Sequence, residues 1–207
     1  MRGKFITLEG TEGVGKSTSI ACIEQWLSAK GIEFISTREP GGTALGEEIR
    51  GLLLSHRAES VDSLSELLLM FAARAQHLAE KILPALQGGV WVLCDRFTDA
   101  TFAYQGSGRG VERSLIQNLA DLVQGDLQPD LTLVLDIAPA IGLARVAKRG
   151  ERDRFEVEEI SFFERVREGY REQIAEQPER FALIDASQTP QQVADDIHRV
   201  LEKYGAK

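Results

Sequence analysis

Gly10-Thr11-Glu12-Gly13-Val14-Gly15-Lys16-Ser17 follows directly on the apolar run Phe5-Ile6-Thr7-Leu8 and opens a stretch of helical period, Ser17 to Lys30. This is the pattern G-x-x-x-x-G-K-[ST] in the strand, loop and helix context that gives it meaning. Glycines let successive backbone N–H groups turn inward around phosphate oxygens, and the helix start adds the positive end of its dipole. Lys16 can reach the β- and γ-phosphates of a nucleotide, and the Ser17 hydroxyl can coordinate Mg²⁺. The competing reading is a chance glycine-rich turn, and the flanking strand and helix argue against it. Gly10, Thr11, Glu12, Gly13, Val14, Gly15, Lys16, Ser17 and Thr18 are therefore candidate nucleotide-binding residues.

Outward from this loop, short apolar runs alternate with longer helical ones. Strands are expected at 5–8, 33–37, 90–94, 131–136 and 181–185, and helices at 17–30, 44–54, 63–86, 114–123, 139–148, 161–176 and 190–203. Ser63 with Glu66, Ser161 with Glu164 and Thr189 with Gln192 each fit a capping box, and Pro190 suits a first helical position. Such alternation means parallel strands joined by right-handed crossovers. The expected fold is α/β: a three-layer P-loop NTPase architecture, its five-stranded parallel sheet covered by helices on both faces. Residues 1–207 are expected to form one domain. The arginine-bearing loops Gly106–Gly110 and Lys148–Arg154 are both expected to be mobile.

The 207 residues carry 24 Lys+Arg against 32 Asp+Glu, a net charge of −8, which argues against a nucleic-acid or membrane partner. The longest apolar run, Leu67 to Ala73, is far short of the ~20 residues that span a bilayer. Cys22 and Cys94 lie in apolar segments without metal-ligand spacing, so a disulfide framework is not expected and a cytoplasmic location is.

In an acidic chain, anionic ligands need local positive charge. Val90-Trp-Val-Leu-Cys-Asp95 delivers Asp95 to the carboxyl edge of the sheet, where ligands of such folds bind. Asp95 is read as the metal-side carboxylate with Ser17, the alternative being a cap or a pair with Arg96. Arg38, Arg96 and the trio Arg149, Arg152 and Arg154 lie in loops at expected strand ends. Phosphoryl transfer between two anions calls for such an arrangement, because its catalysis is mostly positioning and electrostatics. No Asn-Lys-x-Asp motif of a guanine-nucleotide switch is present.

Thr37-Arg-Glu-Pro-Gly-Gly42, Phe71-Ala-Ala-Arg74, Asp95-Arg96, Ala103-Tyr-Gln-Gly106, Pro129-Asp-Leu-Thr132 and Arg149-Gly-Glu-Arg-Asp-Arg154 follow the P-loop in that order. With these motifs the chain resembles the bacterial thymidylate kinases from first strand to last helix. The resemblance implies that Arg38 and Arg96 grip the acceptor phosphate, that Phe71 stacks on thymine and that Arg74 bonds a base carbonyl. Plain core packing is the alternative for Phe71. It further implies that Tyr104 and Gln105 line sugar and base, and that Glu12 faces the acceptor sugar or its metal-bound water. A serine common in the family is replaced by Ala100, so Thr101 is the candidate hydroxyl contact.

The P-loop lacks an arginine, which points to the family's lid-arginine class, the mobile lid lying at about 148–158 with Arg149 or Arg154 catalytic and solvent the alternative for Arg152. Ser187 and Gln188 would lie against the adenine. The implied reaction is transfer of the γ-phosphoryl of Mg-ATP to dTMP, with Lys16, Arg96, Glu12 and the lid arginines as the catalytic set. A homodimer is implied as well. Two other readings stay open, a kinase for a different monophosphate and a P-loop regulatory module that hydrolyses ATP without an acceptor.

Overall fold

The computed structural model describes residues 2–56, 58–148 and 153–205. Strands β1 (Phe5–Gly10), β2 (Phe34–Arg38), β3 (Trp91–Asp95), β4 (Leu131–Asp136) and β5 (Phe181–Asp185) form one parallel sheet in the order β2-β3-β1-β4-β5. Helices α1 (Lys16–Ala29), α2 (Ala44–Leu54), α3 (Ser63–His77), α4 (Leu83–Gln87), α5 (Thr98–Thr101), α6 (Arg113–Gln124), α7 (Pro139–Ala147), α8 (Ile160–Glu176) and α9 (Pro190–Gly205) complete it. The expected three-layer α/β architecture is the one observed.

Alternation along the strands builds two cores. Ile6, Leu8, Leu93, Leu133 and Leu135 face Ile23 and Leu27 of α1 and Ile197 and Leu201 of α9. Phe5, Val92 and Cys94 point the other way, onto Leu78, Ile82, Leu86 and Phe97. β1 is buried along its whole length, as expected of a central parallel strand.

Three local expectations are corrected. The single helix expected at 63–86 is interrupted by a π-helical turn, Leu78–Ile82, before α4. Pro84 has no N–H for the Glu80 carbonyl and its ring would crowd it, so the wider turn accommodates it. Asp62, and not a Ser63–Glu66 box, caps α3, its carboxylate accepting from Leu64 N at 2.9 Å and Ser65 N at 3.1 Å. α8 begins at Ile160 with no side-chain cap, so the Ser161–Glu164 box does not form. The Thr189–Gln192 box does form.

The segment expected to be a mobile loop at 106–110 is largely helical. After α5 a π-helical stretch, Phe102–Gly108, packs along α8. The approach is so close that a Cβ on Gly169 of α8 would lie 2.4 Å from Ser107 Oγ, and one on Gly108 would lie 2.7 Å from the Phe162 ring. This stretch carries Tyr104 and Gln105, both buried, to the carboxyl edge of the sheet.

Candidate active site

The P-loop turns from β1 into α1 and places Lys16 Nζ 3.2 Å from the Gly10 carbonyl and 3.4 Å from that of Thr11. Burial, and then the Arg96 guanidinium, push the Lys16 ammonium below its ordinary pKa. A polyphosphate beside it would favour the charged form again. Glu12 to Thr18 line a cavity of about 490 Å³ together with Arg38, Arg50, Asp95, Arg96 and Arg145. Gly10 and Thr11 lie behind it and contribute their carbonyls to Lys16.

Asp95 Oδ1 is buried in that cavity wall without a hydrogen-bond partner among the described residues, and Ser17 lines the same cavity. An orphaned carboxylate oxygen beside a hydroxyl and a phosphate cradle suits a hard divalent cation such as Mg²⁺. The residues present therefore fit that ion.

Helix α7 is pressed against the loop. A Cβ on Gly13 would lie 2.1 Å from the Gly142 carbonyl oxygen, and one on Gly142 would lie 2.3 Å from that of Glu12. Gly142→Ala must push α7 and the P-loop apart. We expect kcat/KM for ATP to fall on the order of 10²-fold, because misplacing a binding loop by about 1 Å has that effect. ADP formation at varied ATP measures it, and an unchanged value would mean that the contact is slack.

Beyond the P-loop, a cavity of about 350 Å³ opens between α1 and α9, lined by Thr18, Cys22, Arg145, Gln188, Val193 and Ile197 among others. Arg145 NH1 reaches the Gly13 carbonyl at 3.4 Å and the Ala186 carbonyl at 3.3 Å, which spreads its guanidinium over this opening. Ser187 does not line the opening. It is exposed and donates from N and Oγ to Asp185 Oδ1.

A third cavity, about 110 Å³, lies across the wall formed by Glu12 and Arg96. Arg96 has φ 70° and follows β3 directly. Its NH2 donates to Glu12 Oε1 at 2.8 Å, its guanidinium lies 4.5 Å from the Tyr104 ring centre, and Tyr104 Oη donates to both Glu12 oxygens. Phe97 N, the next backbone donor, is held by Glu9 Oε1 at 2.8 Å.

Deeper in, Arg74 Nε donates to Glu39 Oε2 at 2.7 Å and NH2 donates to Thr101 Oγ1 at 2.9 Å. NH1 is buried with no hydrogen-bond partner among the described residues. Thr101, Tyr104 and Gln105 line the cavity, with Leu54, Phe97, Ala100 and Phe155 supplying apolar walls.

Several placements depart from expectation. Phe71 is 2% exposed, packs with Leu67, Ile116 and Ala120, and does not line the cavity; Met70 does. Consecutive helical residues point about 100° apart, so this is a phase difference of one residue. Arg154 does not line the P-loop cavity: its Nε donates to the Leu53 carbonyl at 2.8 Å and its NH2 to Glu66 Oε2 at 2.6 Å. A fully buried carboxylate and a fixed carbonyl give that guanidinium partners that open solvent beside the phosphates does not. Arg38 is half exposed and paired with Glu47 at 2.9 Å. Arg149 and Arg152 lie outside the described residues.

Arg50, Met70, Glu39 and Arg145 were not anticipated. Arg50 lines both the P-loop cavity and the deep one, and burial, then Arg38, lower its pKa. Its only sequence signal was an arginine on the face of α2 next to the Thr37–Gly42 motif. Arg145 was legible only as a cation inside the apolar run of α7.

Glu9 is fully buried, its Oε2 accepting from Tyr170 Oη at 2.7 Å. Burial, and then Asp99, raise its pKa to about 8, against the opposing pull of Arg96. The folded state therefore holds this proton where the unfolded chain, titrating near 4.5, has lost it. Stability should fall as pH rises from about 4.5 to 8 on account of this group. Glu9→Gln should flatten the Tm profile across that window, and an equally steep profile in the variant would reject the assignment.

Parallel strands carrying a phosphate loop at their carboxyl edge, with two cavities meeting across a wall of arginines, define a P-loop kinase of small phosphorylated acceptors. The family model described as thymidylate kinase matches residues 8–197. Similar proteins include the thymidylate kinase of Teredinibacter turnerae, 58% identical over 99% of this chain and 100% of its own. That of Chromohalobacter salexigens is 58% identical over 94% and 93% of the two chains. The crystal structure of thymidylate kinase from Ehrlichia chaffeensis superposes with TM-score 0.80 at 35% identity, covering 97% of this chain and 100% of that one. The chain belongs to the thymidylate kinase family, ATP-dependent nucleoside monophosphate kinases that phosphorylate dTMP.

Proposed function

We propose that this chain transfers the γ-phosphoryl of Mg-ATP to the 5′-phosphate of dTMP, using the P-loop cavity for the donor and the deep cavity for the acceptor. The observation that carries this division is Arg74 NH1, a buried donor without a hydrogen-bond partner among the described residues, beside a cavity whose apolar walls (Leu54, Met70, Phe97, Phe155) meet Thr101, Tyr104 and Gln105 as well as Glu12, Arg50 and Arg96. A pyrimidine carbonyl would satisfy it.

Adenine would lie against Arg145 and Gln188, and the triphosphate in the backbone cradle with Lys16 over its β- and γ-oxygens. Mg²⁺, held by Ser17 and Asp95, would neutralise charge between those phosphates. Arg96, joined by Arg38 and Arg50, would hold the acceptor phosphate in line with the donor. Burial, and then the neighbouring Arg38 and Arg96 guanidiniums, lower the proton affinity of Arg50, and an anion among them would relieve that repulsion. The attacking atom is already an anionic phosphate oxygen, so no general base is needed. Glu12, fixed between Arg96 and Tyr104, would present its carboxylate to the acceptor sugar and keep Arg96 aimed. Tyr104 would crowd a ribose 2′-hydroxyl. Arg149 is the remaining candidate for a lid arginine.

The test is ADP formation with Mg-ATP against dTMP, dUMP, UMP, CMP, AMP and GMP. Strong dTMP turnover, weaker dUMP turnover and negligible purine activity are expected. Preference for another monophosphate would overturn the acceptor assignment, and acceptor-independent hydrolysis would overturn the kinase reading.

A cytoplasmic homodimer completes the proposal. Leu64 and Leu68 on α3 and Leu122 on α6 stand 45%, 49% and 80% exposed, an apolar face that a second copy would cover. Cys22 and Cys94 are free thiols, in keeping with a reducing compartment. Among the described residues no helix is long and apolar enough to cross a membrane. Light scattering of the purified chain would give its mass, and a monomer at micromolar concentration would reject the dimer.

A further inference from the structure

We propose that Glu66 is a positioning residue for base selection: it fixes which end of the Gln105 carboxamide faces the deep cavity, and so makes the site read the imide edge of thymine and reject cytosine. This rests on the reading of that cavity as the acceptor-base site.

Glu66, Met70 and Arg74 recur at intervals of four along α3 and therefore lie on one face of it. Met70 and Arg74 line the cavity, and Glu66 sits one turn behind them with no solvent exposure. Its Oε1 accepts from Gln105 Nε2 at 2.9 Å and, more distantly, from Arg109 Nε at 3.4 Å. Its Oε2 accepts from Arg154 NH2 at 2.6 Å. A carboxylate gripped by two guanidiniums offers acceptors only.

The two ends of a glutamine amide have nearly the same shape, so nothing but its partners decides its orientation. Against Glu66 the amide must turn its NH2 inward, which leaves Oε1 as its acceptor for a base. Arg74 is fixed in the complementary sense. Glu39 takes Nε, Thr101 takes NH2, and the buried NH1 remains as a donor.

One donor beside one acceptor matches the imide edge of thymine or uracil, a carbonyl next to N3–H. Cytosine presents the opposite pair, an amino group next to an unprotonated ring nitrogen. It would set donor against donor and acceptor against acceptor. A glutamine at position 66 could accept or donate, and would free the Gln105 amide to flip.

The experiment compares kcat/KM for dTMP and dCMP at saturating Mg-ATP in the parent, Glu66→Gln and Gln105→Ala. In Glu66→Gln the dTMP:dCMP ratio should shrink by about 10-fold or more, the scale of restoring or losing one buried hydrogen bond, with KM for ATP unchanged. A purely structural role would lower both substrates together, and an unchanged ratio overturns the proposal. If Gln105→Ala leaves KM for dTMP unaltered, the cavity assignment beneath it fails. If Gln105→Ala loses dTMP while Glu66→Gln keeps the ratio, only the orienting role fails. Should Glu66→Gln not fold, the parent is titrated with dTMP and with 3-deaza-dTMP, in which C–H replaces N3–H. The parent should prefer dTMP by about 10-fold or more, and equal affinity overturns the proposal.

Discussion

Arg96→Ala should lower kcat with dTMP by about 10³-fold, the scale on which an arginine that stabilises a transferring phosphoryl group contributes. Its guanidinium stands in the wall between donor and acceptor cavities, held by Glu12 and stacked on Tyr104. Affinity for ATP should stay close to that of the parent, because the backbone cradle and Lys16 remain. The substitution also removes a cation that depresses the Lys16 ammonium, which favours its charged form. Arg96→Lys restores a point charge without the planar fork and should recover only part of the turnover. Single-turnover kinetics with an ATP titration separates these effects. Equal losses in ATP affinity and in turnover would show that Arg96 serves the donor and not the acceptor.

Arg74→Met should act on stability and selectivity together. Arg74 and Glu39 are 2% and 5% exposed, and removing the guanidinium leaves Glu39, among the described residues, with His77 Nδ1 at 2.9 Å as its remaining side-chain partner. Stripping one member from a buried pair typically costs about 3–5 kcal/mol, so a fall in Tm of many degrees is expected. Independently, loss of the NH1 donor should reduce kcat/KM for dTMP by roughly 10²-fold at a temperature where the variant is folded. KM for ATP should hold. Thermal melts and initial rates distinguish the two effects: a destabilised variant that still turns over dTMP normally would show that Glu39 and Thr101, not the base, are the reason for the arginine, and an undiminished Tm would reject the stability argument.

The fold was readable because its signals are local. The P-loop fixes where β1 ends and α1 begins, and the β-branched runs mark the other four strands to within two residues of their observed ends. The 98–108 segment was not readable. Threonines, aromatics and the spaced glycines Gly106, Gly108 and Gly110 are weak helix formers or breakers in isolation. What makes this segment helical is contact with α8, which no local pattern encodes.

The site was legible where a residue type has few other uses, as with Arg74, Arg96 and Asp95. It was illegible where helical phase decides. Around Leu67–Ala73 helix α3 is apolar on several faces, so the pattern could not say whether Met70 or Phe71 meets the cavity. Glu66 fits a capping residue in the sequence for the same reason: its spacing from Ser63 is local, whereas Gln105, Arg109 and Arg154 reach it from distant parts of the chain. Arg154 followed the opposite course, its position in a charged loop suggesting chemistry while a buried carboxylate claimed it.

Arg96 is the one non-glycine residue with positive φ among those described. The left-handed region costs an ordinary side chain about 1–2 kcal/mol, and glycine would adopt it freely. Laboratory evolution toward heat tolerance, sorted on survival of the fold alone, would drift to glycine at this position and recover robust proteins with no turnover. Any such campaign on this scaffold must score catalysis in every round.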